Sequence, residues 1–138
     1  MNKTFEQWAE LYNKKTPEKF ERDKRYELFY LPDKGFCEIA ATDKMIMIHQ
    51  VSGDGKFWKD FAEKVARKMN LKVCGTICIR RQIKAWIRLF GYEVAEIENL
   101  PDGLKRYHCK NKIGKKGLLS PAYKYDSGEQ AYFVTWEV

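Results

Sequence analysis

No apolar run in these 138 residues comes near the roughly 20 that a bilayer-crossing helix needs. The opening stretch Met1-Asn2-Lys3-Thr4-Phe5-Glu6 has no apolar segment of the secretory-signal kind. The expectation is a cytoplasmic protein with no membrane partner. Disulfide density is missing too. Cys37, Cys74, Cys78 and Cys109 are scattered without a paired CxxC, so free and mostly buried thiols are expected. A zinc site from Cys74, Cys78, His108 and Cys109 lacks the ligand spacing such sites use, and no metal is expected. There is no internal repeat, low-complexity tract or linker, which points to one domain over residues 1–138. Acidic residues are absent between Lys105 and Lys116, where Lys105, Arg106, Lys110, Lys112, Lys115 and Lys116 gather.

What is present is the balance of a folded chain. Hydrophobic residues make up 44% and charged residues 33%, and four tryptophans supply apolar surface to offset ordering entropy. The net charge of +7 favours polyanionic partners, either nucleic acid or a phosphorylated cofactor.

The period of the hydrophobic pattern changes along the chain. Thr4 and Gln7 form a capping box ahead of Phe5, Trp8, Leu11 and Tyr12, predicting a helix near residues 4–14. Thr16-Pro17 restarts a short helical turn, and Glu21 to Arg25 reads as a solvated charged stretch. Residues 26–31, 36–42 and 45–50 are extended segments with short joins, an antiparallel meander. Phe57, Trp58, Phe61, Val65 and Met69 then recur at helical spacing. A strand over 71–77, a helix over 80–90 stopped by Gly91, and a strand over 92–98 follow. A long connection over about 99–130 precedes a last strand at 132–138. The class is α+β (α/β): a mixed sheet with an antiparallel N-terminal meander, flanked by helices.

A strand, a glycine turn and a helix make an arrangement that binds phosphate, because the first amides of a helix lack internal partners. Here the turn is Gln50-Val51-Ser52-Gly53-Asp54-Gly55, with Lys56 adding a cation. Glycine lets the backbone approach an anion and take positive φ. Gln50, Gly53 and Gly55 match the Gln/Arg-x-x-Gly-x-Gly/Ala motif, and the segment resembles the GNAT superfamily of N-acetyltransferase-like proteins. The strand at 71–77, Arg80-Arg81 opening a helix, and Trp86 to Tyr92 closing it on Gly91 extend the resemblance over residues 26–98. Its character is that of the small, divergent members found in phage and prophage genomes.

The resemblance implies that acetyl-CoA or CoA binds with its pyrophosphate on the amides of residues 51–56. Its pantetheine would lie along the strand near Ile48 and Gln50, with Arg80, Arg81 or the basic loop meeting the remaining phosphate. It implies acyl transfer from a CoA thioester to an amine. Glu38 and His49 are the general-base candidates, beside the ordinary readings of a solvent-facing glutamate and a satisfied core histidine. The family's acid tyrosine position falls on Ile87, which leaves Tyr92, beyond the glycine, or Cys78. The alternative function is an inactive binding module on the same scaffold, meeting nucleic acid or a protein through the basic 105–116 stretch.

Overall fold

A computed structural model describes residues 2–79 and 83–138, with Leu89 described by its backbone only. Three helices and eight strands are present among the described residues, an α+β protein. The chain divides into two compact units, Met1–Lys72 and Val73–Val138. No described helix is long and apolar enough to cross a membrane.

The first unit runs α1 (Phe5–Lys15), β1 (Glu27–Leu31), β2 (Gly35–Ala41), β3 (Met45–Gly53) and α2 (Gly55–Lys68). Thr4 and Gln7 close the expected capping box on α1. The helical turn expected at Thr16-Pro17 does not form: Thr16 instead ends α1, its amide and hydroxyl both donating to the Tyr12 carbonyl. The three strands form the expected meander, β2 pairing antiparallel with both β1 and β3. Alternation along β2 sends Phe36 and Cys37 to opposite faces. Phe36 meets Phe5 of α1 at 4.9 Å, while Phe29, opposite Cys37, meets Phe61 of α2 at 5.0 Å. A helix on each face explains why Gly35 through Ile39 are all buried.

β3 runs through Gly53, three residues past the expected end at Gln50. Its last residue crosses the β1–β2 turn closely. Gly53 has φ of +107° and Gly35 has φ of +99°, and a Cβ on Gly53 would lie 2.2 Å from the Lys34 carbonyl oxygen. Asp54 alone joins β3 to α2.

The second unit holds β4 (Val73–Ile79), α3 (Ile83–Leu89), β5 (Tyr92–Asn99), β6 (Lys105–Asn111), β7 (Lys116–Lys124) and β8 (Gln130–Glu137). Its strand order is β4-β8-β7-β6-β5, antiparallel at every pairing. The connection expected over 99–130 is therefore ordered as β6 and β7. Tyr92, Trp86 and Trp136 pack together on one face, Trp86 stacking on Tyr92 at 5.0 Å. Gly117 makes room for them, since a Cβ there would come within 3.1 Å of the Tyr92 ring. Full burial of a side chain such as Leu119 in this core contributes about 1.5–3 kcal/mol.

Candidate active site

The register of β2 against β3 slips between Cys37 and Ile39: Cys37 faces Val51, while Ile39 faces Ile48. Two residues of β3, His49 and Gln50, thus stand opposite the single residue Glu38. Such a bulge turns neighbouring side chains to the same face of a sheet. Both reach the Glu38 carboxylate, which is fully buried. His49 Nδ1 lies 3.0 Å from Glu38 Oε1, and Gln50 Nε2 donates to the same oxygen at 2.7 Å.

The α1–β1 connection completes the cluster. Arg22 donates to Glu38 Oε2 at 2.6 Å and the Asp23 amide donates to it at 2.9 Å. Gln50 fixes this segment by donating to the Glu21 carbonyl at 2.6 Å and accepting from the Glu21 amide at 3.3 Å. Four donors then surround one carboxylate, which fills its acceptor positions and makes His49 Nδ1 a donor. Nε2 is left as the proton acceptor of the ring. The imidazole stacks on Tyr26 at 4.7 Å, and its side chain is 38% exposed. Asp23 Oδ2 stands 3.8 Å from Nδ1. Its carboxyl is held well below the usual range, chiefly by hydrogen bonds from the Arg25 side chain and amide. An oriented, accessible imidazole backed by a buried carboxylate can remove a proton from a substrate.

The sequence picked out Glu38 and His49 separately; the structure joins them. Arg22, Asp23 and Tyr26 were missed, because the charged stretch 21–25 resembles ordinary solvated surface. The pattern offered no sign that a buried glutamate across the sheet required a cation.

The other expected site residues are differently placed. Ile48 is buried opposite Ile39. Gln50 and Ser52 are buried with structural partners, Ser52 donating to the Trp8 carbonyl at 2.7 Å. Val51 pairs with Cys37 in the strand ladder. Gly53 is a glycine because backbone crosses backbone there. Asp54 caps α2, its Oδ1 accepting from the Phe57 amide at 3.0 Å, while its own amide donates to the Lys34 carbonyl at 2.9 Å. Gly55 and Lys56 open α2 and are exposed, so they supply the first-turn amides not bound to the Asp54 side chain. Arg80 and Arg81 lie outside the described residues. Tyr92 is 5% exposed in the core of the second unit. Ile87 is half-buried on α3. Cys78 is buried, which pushes its thiol up to about 12. All four cysteines are free, and among the described residues no three His, Cys, Asp or Glu side chains are grouped to hold a metal ion.

The basic stretch falls on β6 and the turn after it. Across the β5–β6 register, Glu93, Glu96 and Glu98 stand opposite Lys110, His108 and Arg106. Glu98 accepts from Arg106 at 2.8 Å and lies 3.0 Å from His108 Nε2. Two of the six basic residues that looked unopposed in sequence, Arg106 and Lys110, thus face a glutamate on the neighbouring strand.

No protein-family model matches the chain, and no curated protein or solved structure is significantly similar to it.

Proposed function

We propose that the chain is an acyl-CoA-dependent N-acyltransferase in which His49, oriented by Glu38, is the general base. The observation that carries this reading is the 3.0 Å contact between His49 Nδ1 and a fully buried Glu38. A buried carboxylate held by four donors fixes the ring and its tautomer, as a base in a proton-transfer site requires. The ordinary reading of each residue alone, a solvent-facing glutamate or a core histidine, does not fit: the glutamate is the buried partner and the histidine the accessible one.

Bound acetyl-CoA would supply the acyl group already activated as a thioester. Gly55 and Lys56 would hold its pyrophosphate, through the two leading amides of α2 and the Lys56 ammonium. His49 Nε2 takes a proton from the acceptor amine as its nitrogen bonds to the acyl carbon. Glu38 stabilises the imidazolium so formed. The carbon–sulfur electron pair would leave with the CoA sulfur as a thiolate, which takes a proton from solvent.

The test is release of CoA thiol from acetyl-CoA in the presence of a panel of primary amines. Wild-type turnover with His49→Ala slower by about 10²–10⁴-fold is expected, since that is the usual worth of a positioned base. Acetyl-CoA should also raise the melting temperature of both proteins, because a ligand that prefers the native state stabilises it. No thermal shift at millimolar acetyl-CoA, or equal turnover by the two proteins, overturns the reading.

A further inference from the structure

The five-stranded sheet of the second unit has two faces, and α3 occupies one of them. Cross-strand register places Cys74, Trp136, Gly117 and Cys109 in a row on the α3 face, where Trp86 rests on Trp136. The opposite face carries the intervening rows. Val73, Glu137 and Lys116 lie in one, and Thr135, Leu118 and His108 in the next. These six residues line a cleft of about 260 Å³. It is smaller than the roughly 300–1,000 Å³ typical of drug-sized ligand sites, so its occupant is small.

The lining has a fixed chemistry. His108 is tethered through Nε2 to Glu98, which Arg106 also holds, and Arg106 in turn donates to Ser120 Oγ at 2.9 Å. This network anchors the imidazole and leaves Nδ1 as its second polar atom. Lys116 uses its backbone amide on Glu137 Oε1 at 2.7 Å, and its ammonium has no partner among the described residues. The Thr135 hydroxyl likewise has none. Val73 and Leu118 give the same cleft an apolar wall. One ammonium and one hydroxyl beside an apolar wall match a single negative charge attached to a short hydrocarbon. Glu137 on the same lining opposes a dianion such as phosphate.

We propose that this cleft binds a small organic monocarboxylate, its charged end on Lys116 and Thr135 beside His108 and its hydrocarbon against Val73 and Leu118. The site uses residues of the second unit only, and the His49 cluster uses residues of the first only.

Amide NMR of the full chain titrated with hexanoate, inorganic phosphate and hexylamine tests it. At about 10 mM, ten times a Kd of roughly 1 mM, hexanoate should saturate shifts of Lys116, Leu118 and Thr135 while phosphate and hexylamine do not. Lys116→Met should weaken hexanoate about tenfold, the usual loss of a hydrogen bond to a charged group. Thr135→Val, which keeps the shape, should weaken it about threefold and serves if the first variant loses its spectral dispersion. Shifts that fail to saturate, phosphate binding as well as hexanoate, or an affinity unchanged in both variants would each overturn the proposal.

Discussion

Glu38 and His49 share one hydrogen bond but answer differently to substitution. Removing the buried carboxylate leaves its donors unsatisfied, while Arg22 is 37% exposed and keeps the Tyr26 carbonyl, so Glu38→Ala should cost about 2–3 kcal/mol of stability in chemical denaturation. His49 sits at the accessible end of the same network, and His49→Ala should stay within about 1 kcal/mol of wild type. That contrast separates an oriented base from a packing element: the acyl-transfer loss expected of His49→Ala then appears in a protein that is still folded. Equal destabilisation by the two changes would make the pair structural. The thiols form a second residue-scale case. Burial pushes Cys78 up to about 12 and Cys109 up to about 11. At pH 8 their thiolate fractions are then about 10⁻⁴ and 10⁻³. Cys37 is shifted further upward, by burial and then by the Glu38 charge beside it. A disulfide reagent should therefore find almost no thiol in the native protein and four in urea; rapid native reaction at these three would contradict the burial.

Elements explain why some of this could be read in advance. The capping box at Thr4 and the amphipathic spacing of α2 are local patterns, and each appears where the residues put it. β6 and β7 escaped notice because charge interrupts the alternation of β6 and a bulge at Ala122 beside Pro121 breaks the period of β7. The turn clusters Pro101-Asp102-Gly103, Asn111-Lys112-Ile113-Gly114 and Asp126-Ser127-Gly128 were the available signal, spaced a strand apart. Tertiary pairing decided the candidate site. The bulge joining His49 and Gln50 to Glu38 comes from the register between strands, which no single strand's pattern records. Gly53 carries the sharpest consequence. From sequence, the glycine there serves the backbone's approach to an anion. In the structure Gly53→Ala would drive its Cβ to 2.2 Å from the Lys34 carbonyl oxygen at a φ of +107°, so the fold itself yields. The expected loss exceeds about 2 kcal/mol, against about 1 kcal/mol for Asp54→Ala, which removes the cap of α2 and an exposed ion pair with Lys34. Thermal melts of the two variants should fall in that order; a Gly53→Ala protein as stable as wild type would mean that Gly53 crosses the β1–β2 turn with room to spare.

For the whole molecule, the excess of base over acid sets the response to pH. The chain has 26 Lys and Arg against 19 Asp and Glu, so each carboxylate that takes up a proton adds to self-repulsion. A carboxyl in each unit is held below its ordinary value. Asp23 in the first is lowered chiefly by the Arg25 side-chain hydrogen bond, and Glu98 in the second by the His108 hydrogen bond and then the Arg106 one. A carboxyl with a lowered folded value stabilises the native state above its unfolded value and loses that contribution as pH falls through the folded one. The unfolded values are 3.8 for Asp23 and 4.5 for Glu98. The melting temperature should therefore be nearly level from pH 8 to about 5 and then fall as acid is added. Glu98→Gln should flatten the upper part of that fall, because the variant no longer has a carboxyl to protonate. Asp23→Asn should flatten the lower part, since its folded value is the more strongly depressed. Raised salt should lessen both effects, as these pairs are reached by solvent. A fall that begins well above pH 5 would contradict control by these two carboxyls.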